Sequence, residues 1–528
     1  MKDKKKESGF LFPSYSKTTN FGIGLKIPYY WYIAPNMDLT VTPTLYVLNN
    51  NQQNYKINKQ RIVNNDFRHM TKYGEYKANL EVANNKIDSS LNTTVVNRSQ
   101  KPYRWHLTSS GEFDFTEDTG LDFSLNTVSD RNYLRDYHFN YSAFLFSQAQ
   151  INYIKGRDYY AVRSLKIKEL ESATDKTAQF ILPELRSHVE TKPLSYNQRL
   201  ALTSNVTVIN RDSGLQYRRA TLAPAVNIPF NVKGNIFSID AKLQSDFYWL
   251  ESTSNTTIPG SATPNNNYDS IETNYKPEVS FNWRLPIIQK TKYHTLVLEP
   301  IANFVATSYQ KNVNKLPNED SNSSELTISN LFIADRIAGY DRNEAGERIS
   351  YGIKSSLFSK FGELDLTIGQ GYRLSDKAQD VVIRGFANNN KSNIVGQAMF
   401  KLEKYFLVTY SFQLNESNYN NEVNQVAAGF TIKRFSFGTD YLLIKKTIQT
   451  PQEREQISLS SSIRLWDGWT IGASLNKDLV IGRLISRGIT VSRDGCCTIF
   501  GFSIVESNPS ALIKPQRTVN LIFTFKNL

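Results

Sequence analysis

Polar and apolar side chains alternate along most of this chain with a period of two, the spacing of a β-strand whose two faces meet different surroundings. The cleanest case sets Phe237, Ile239, Ala241, Leu243, Phe247 and Trp249 against Ser238, Asp240, Lys242, Gln244 and Asp246. A charged face of that kind needs water, and the opposite face needs an apolar medium. Near the start, Phe21, Ile23, Leu25 and Ile27 alternate with Gly22, Gly24 and Lys26; then Leu39, Val41, Leu45 and Val47 alternate with Thr40, Thr42 and Thr44. The pattern recurs at Leu364, Leu366 and Ile368, at Phe406, Val408, Tyr410, Phe412 and Leu414, and at Val519, Leu521, Phe523 and Phe525. Residues 75–82 and 90–96 have strand length but alternate less cleanly, and residues 49–54 read as a polar turn. Residues 155–195 read either as an irregular pair of strands or as a segment folded into an interior.

Nowhere do eighteen apolar residues follow one another, so a bilayer cannot be crossed by a helix and is crossed only by a closed barrel. At about twenty residues per strand and connection, 528 residues predict an all-β, antiparallel transmembrane barrel of on the order of 26 strands, closed between its first and last strands. No linker or shift in composition divides the chain. Residues 1–7 are therefore expected to be a tail and 8–528 a single barrel. Hydrophobic residues make up 40% and aromatic residues 12%, and the mean hydropathy is −0.44, which suits strands with one apolar face joined by long polar loops. Aromatic residues cluster near segment ends in 101–125 and 131–147, where interfacial girdles belong. Residues 251–278 and 308–330, rich in Asn, Ser, Thr and Pro, read as long loops on the outer surface. The stretch MKDKKKESGF has a basic start with no apolar run behind it, so no signal peptide is expected within it.

Two prolines stand out in the opening segments. Pro13 lies in the short apolar run 9–13, with Phe10 and Phe12, and Pro28 closes the strand that follows. A proline gives no N–H to a ladder, so both strands are expected to pair weakly where it sits.

The net charge of +13 calls for an anionic partner. Basic residues are scattered along alternating strands without a recognition helix, which argues against nucleic acid and leaves lipid phosphate. His69, His106, His138, His188 and His294 stand apart from any metal-binding spacing, and no metal or cofactor is expected. The glycine pairs Gly22/Gly24 and Gly369/Gly371 fall inside strand patterns, where a nucleotide loop would have to open a helix. No nucleophile elbow or paired carboxylates appear, so no enzyme is expected. Cys496 and Cys497, the only cysteines, are neighbours, and a bond between them would strain both disulfide and peptide. If residues 518–525 form the last strand, running down to the periplasm, residues 507–516 form an outer loop and 498–505 the preceding strand. Cys497 then begins that strand on the periplasmic, oxidising side, where its thiol is expected to find a bonding partner.

Several segments together resemble the C-terminal barrel of the lipopolysaccharide-assembly LptD (OstA/Imp) family. They are LKIPYYWYIAPNMDLTVTP, VSDRNYLRDY (128–137), ILPEL (181–185), LPNEDS (316–321), NLFIADRIAGYDRNEAGERISYGI (330–353), GQGYRL (369–374) and the vicinal cysteines. The resemblance implies a barrel in the Gram-negative cell outer membrane that delivers lipopolysaccharide to the outer leaflet. A lipoprotein plug (LptE-like) would fill its lumen, the barrel-assembly machinery would insert it, and membrane lipid would surround it. It further implies a lateral gate between first and last strands, with Pro13, Pro28, Phe10 and Phe12 on one side and Val519, Leu521, Phe523 and Phe525 on the other. Cys496 and Cys497 become disulfide candidates toward cysteines of a periplasmic jellyroll domain. That domain, which the resemblance does not include, or a bridge protein would be supplied in trans. A passive porin or plugged nutrient receptor would share the same alternation, and a soluble β-repeat protein binding acidic ligands is the remaining class.

Overall fold

In a computed structural model of the protein, the described residues are 7–18, 22–47, 60–84, 102–138, 140, 142–170, 179–211, 215–252, 256–257, 264–265, 268–310, 313–321, 324–375, 381–386, 390–447, 450–508 and 516–525. Twenty-nine strand segments form one antiparallel sheet that closes on itself. Three strands are each split in two, at Pro13, Pro28 and Pro286, so the wall has 26 strands, the number expected from chain length. Among the described residues no helix is long and apolar enough to cross a membrane.

Each strand pairs with its sequence neighbours, so the connections alternate between two ends. At one end they are tight: Lys233 and Gly234, at φ 49° and 85°, turn Leu215–Val232 into Asn235–Ser252, the left-handed pair that a two-residue hairpin requires. At the other end most connections are longer, the longest joining His294–Thr307 to Gly346–Ser359. In transmembrane barrels the short turns face the periplasm and the long loops face outward. Both the start and the end of the described wall lie at the short-turn end.

The alternation reads out as expected. On Asn235–Ser252, Ile239, Leu243 and Trp249 are exposed on the outer face, while Gln244, Asp246, Tyr248 and Leu250 are buried toward the lumen. Of the two readings of residues 155–195, the irregular pair of strands is the one found in their described part, 155–170 and 179–195. Asp158–Glu169 and Gln179–Glu190 are wall strands, and the alternation of the second is broken by one extra residue between Ile181 and Glu184, against both neighbouring strands. A bulge moves every later side chain to the opposite face, so period two fails across it.

Four expectations are corrected. Residues 251–252 and 268–278, read as loop, belong to wall strands, Asn235–Ser252 and Tyr268–Arg284, that run well beyond the length a bilayer needs. Within residues 131–147 the girdle reading fails for Tyr133–His138, a short helix with Tyr133 and Leu134 buried, while Phe144 and Phe146 are exposed at the end of the strand Phe144–Lys155. Pro28 interrupts its strand without ending it, and the ladder resumes at Tyr29–Ala34. Residues 308–330 are not a solvated loop, because Leu316, Leu326 and, just beyond, Leu331 and Ile337 are buried. The expected turn 49–54 and the segment 90–96 lie outside the described residues, as do Phe21 and most of the loop 507–516.

Candidate functional site

The barrel closes where Ser14–Thr18 meets Gln516–Phe525. Four residue pairs hold this seam: Tyr15↔Leu521, Ser16↔Asn520, Lys17↔Val519 and Thr18↔Thr518. On its other edge the same last strand makes ten, from Thr498↔Phe525 to Ser507↔Gln516. Toward the short-turn end, Gly9 and Phe10 register with Tyr30 and Tyr29 of the second strand, and residues 522–525 register only with the preceding strand. The ladder therefore covers only the outer part of the seam. Below it Phe12 meets Phe523 across the join edge-on, at 4.4 Å between centroids, and beside it Phe10 meets Tyr29 of the second strand at 5.1 Å. Counted at roughly 0.5–1.5 kcal/mol per net hydrogen bond, a four-pair ladder holds less than half as strongly as a ten-pair one.

The prolines explain where the ladder stops. Between Phe10↔Tyr29 and Ser14↔Lys26, residues 11–13 of the first strand face only residues 27 and 28 of the second. This one-residue excess is a bulge with Pro13 inside it. Leu11 donates to the Pro28 carbonyl at 2.9 Å, and Ile27 to the Pro43 carbonyl at 3.1 Å. Pro43, which the sequence reading passed over, thus continues the row into the third strand, Met37–Val47. The signal was present: positions 13, 28 and 43 are evenly spaced. Three adjacent strands lack an amide donor at one level.

Among the other singled-out residues, Val519, Leu521 and Phe523 share the outer face of the last strand by register. Phe10 and Phe12 are exposed on the first strand, 76% and 47%. The structure describes the backbone of Phe525, paired with Thr498. Cys496 and Cys497 sit away from the seam, in the turn 495–497 at the short-turn end, both exposed and with sulfurs 3.2 Å apart. The glycine pairs lie in strands as expected. His106 and His138 are nearer than expected, their rings 5.7 Å apart, with His138 2.8 Å from Glu81.

What sequence reasoning missed is the way the connection 308–345 folds inward and braces the wall. Asp341, fully buried, accepts from Arg219 at 2.6 Å, from the Tyr248 hydroxyl at 2.9 Å and from the Glu319 amide at 2.8 Å; Asp320 takes a second Arg219 contact at 2.8 Å. Gln244 donates to the Tyr340 carbonyl at 3.1 Å, and Lys276 to the same carbonyl. Gln413 donates to the Leu326 carbonyl at 3.0 Å. The wall gives way to admit the segment: a Cβ on Gly369 would stand 2.6 Å from Leu331 Cδ2. Nearby, Arg336, Arg348 and Arg373 surround Glu344 at 3.6, 3.5 and 3.1 Å. Burial would raise the Glu344 carboxyl, but the three guanidiniums outweigh it and hold the group below its usual range. Burial lowers the Arg336 guanidinium to about 10. Burial likewise raises Asp341, which Arg219 only partly offsets, whereas Arg219 and two backbone amides outweigh burial at Asp320 and lower it. These contacts fasten the outer mouth of the lumen along the wall opposite the seam. Among the described residues no group of three or more His, Cys, Asp or Glu could hold a metal.

A closed wall with outward apolar stripes, a charged interior, short turns at one end and inward-braced loops at the other defines a large β-barrel of the outer membrane. Residues 102–469, more than two thirds of the chain, match the family model described as LptD, LPS transport system D, and the chain belongs to that family. It is 22% identical over 512 residues to the LPS-assembly protein LptD of Idiomarina loihiensis, covering 93% of this chain and 62% of the relative. The protein of that name from Histophilus somni is 22% identical over 532 residues, covering 94% and 65%. The one from Escherichia coli is 21% identical over 527, covering 93% and 64%. The chain thus spans a little under two thirds of the length of these curated relatives. Among solved structures, the FrpB iron transporter from Neisseria meningitidis aligns over 98% of this chain and 81% of its own, at 7% identity and a TM-score of 0.35.

Proposed function

We propose that this barrel delivers lipopolysaccharide to the outer leaflet of the outer membrane, and that the glycolipid leaves the lumen sideways through the seam between the first and last strands. The observation that carries the reading is the four-pair ladder, set against ten pairs on the other edge of the same strand. A lipopolysaccharide has two parts with opposite solvent needs. Its sugars and phosphates suit the polar lumen, and its acyl chains suit lipid, so an exit that opens along the wall lets both move together. Parting the seam costs the fewest hydrogen bonds where the ladder is shortest. The proline row reduces what the first three strands hold in common at the same level, and the rings of Phe10, Phe12 and Phe523 offer acyl chains an apolar threshold. No bond of the cargo is made or broken, so no catalytic residue is required.

Membership of the family supports the substrate and suggests the partners. These are a lipoprotein plug in the lumen, a jellyroll domain or bridge protein on the periplasmic side, and the barrel-assembly machinery. Cys496 and Cys497, exposed at the short-turn end, would bond to such a periplasmic element. The test is to replace Ser16 and Asn520, register partners across the seam, with cysteines and to join them by oxidation. Delivery of lipopolysaccharide to the cell surface should stop on oxidation and resume on reduction. Undiminished delivery with the seam joined would refute lateral exit.

A further inference from the structure

The outer face of the seam carries a cluster of charges. Arg517, two residues above Val519 in a strand whose Val519, Leu521 and Phe523 face lipid, shares their side of the wall. Its register partner is Glu506, and Glu506 in turn registers with Arg487. Arg517 reaches Glu506 at 2.9 Å and Arg487 reaches it at 3.1 Å, so two guanidiniums grip one carboxylate. The carboxylate is mostly covered, at 18% exposure, while the arginines are 61% and 56% exposed. Across the seam, Lys17 registers with Val519, one step of the pleat below Arg517, and is exposed. Among the described residues, three cations thus face one anion at the outer edge of the join, drawn from both of its sides.

Depth distinguishes this place from the rest of the wall. On Asn235–Ser252 the outward apolar set runs from Phe237 to Trp249, about 28 Å of membrane at a rise of ~3.3 Å per residue and a tilt of ~45°. On Leu484–Asp494 only Ile489 and Val491 face outward between Arg487 and Arg493, the latter paired with Asp467 and lying over Trp469 at 5.9 Å. The same arithmetic spans about 14 Å. Cations here stand where, elsewhere on the wall, acyl chains would be.

From this we infer that Arg487, Arg517 and Lys17 form a phosphate-binding lip on the lipid-facing side of the seam, whose ligand is the phosphorylated sugar headgroup of the emerging glycolipid. The inference rests on the proposed lateral exit. A guanidinium grips a phosphate through two parallel N–H bonds, and a site with a net excess of cations favours a doubly phosphorylated headgroup over a singly phosphorylated one. Glu506 holds both forks in a common place until phosphate displaces it. A headgroup caught there has its sugars above the lip and its chains against Ile504, Leu521 and Phe523. It cannot slide back without giving up the contact.

The test measures binding to the purified full chain in detergent by native mass spectrometry, with bisphosphorylated lipid A, monophosphorylated lipid A, dioleoyl phosphatidylglycerol and inorganic phosphate as separate probes. Bisphosphorylated lipid A should bind at least about tenfold more tightly than the monophosphorylated form, and ahead of phosphatidylglycerol. The double variant Arg487→Gln/Arg517→Gln should lose that discrimination, and Arg487→Lys/Arg517→Lys should recover part of it. Glu506→Gln should tighten binding, a change opposite in sign to the one a merely structural role would give. Heat-modifiable migration verifies that each variant is folded. Equal binding of the two lipid A forms by the unaltered chain, or discrimination that survives the double glutamine variant, would overturn the lip. So would inorganic phosphate or phosphatidylglycerol competing as well as bisphosphorylated lipid A. Should the glutamine variant bind as the original does while the Ser16/Asn520 cross-link still blocks delivery, the lip fails and the lateral exit stands. Should delivery persist through the cross-link, the exit fails, whatever the binding data give.

Discussion

Asp341 is the residue whose loss should most clearly separate the inward-folded connection from the wall. Its carboxylate is fully buried and receives Arg219, the Tyr248 hydroxyl and the Glu319 amide, all within 2.9 Å. Changing it to alanine leaves those donors without their acceptor and leaves Arg219 with Asp320 alone on the anionic side. Removing one partner of a buried ion pair costs roughly 3–5 kcal/mol. The wall is a continuous ladder that does not depend on Asp341, so the cost falls on the docking of residues 313–345. At 1.4 kcal/mol per factor of ten, hydrogen-exchange protection in that segment should drop about a hundredfold to several thousandfold. Protection of the wall strands and heat-modifiable migration should stay as they are. Because the docked segment narrows the outer mouth, conductance through the purified barrel in a planar bilayer should rise. Asp341→Asn, which keeps an acceptor, should show a smaller drop. Unchanged protection of residues 313–345 in the alanine variant would refute the brace.

Alanine at Gly369 puts a Cβ 2.6 Å from Leu331 and 2.8 Å from the Tyr351 carbonyl, an overpacking of about 1–3 kcal/mol that should loosen the same segment in the same exchange experiment. Glu344 has a lowered folded-state pKa, so its contribution is present above the ordinary glutamate value of 4.5 and is lost as pH falls through the folded value. Protease sensitivity of the loop should rise in acid below pH 4.5, and Glu344→Gln should remove that step. Replacing Pro13 and Pro28 together with alanine supplies two amide donors, each worth roughly 0.5–1.5 kcal/mol if used. Surface appearance of pulse-labelled lipopolysaccharide should slow while the barrel still migrates as folded, and faster appearance would contradict the role given to the proline row.

The wall was legible because lipid imposes the pattern: every strand must present apolar residues outward, and short turns keep neighbours adjacent, so period two and chain length together lead to 26 strands. Where a bulge interrupts the ladder, as between Ile181 and Glu184, the parity flips and the pattern blurs although the strand remains. The connection 308–345 was illegible for another reason. Its Asn, Ser and Asp residues look solvated, and the groups that satisfy them, Arg219 and Tyr248, lie on strands roughly a hundred positions earlier. Its apolar residues, Leu316, Leu326, Leu331 and Ile337, were the available hint, together with an arginine at 219 in a stretch otherwise rich in alanine. The seam was half legible. Two prolines pointed to it and a third was passed over, while the length of the closing ladder depends on register, which composition does not carry.

The short closing ladder also bears on biogenesis. Tyr15 and Leu521 are about 500 positions apart, so bringing them together forfeits more chain entropy than any hairpin in the wall, and four pairs are all that compensate. Every other strand is docked by a neighbour close in sequence. The nascent sheet therefore stands complete but unsealed, with two raw edges open to any passing β-strand. A join that only four pairs hold is, for the same reason, slow to form, and its two edges stay bare until the last strand comes home.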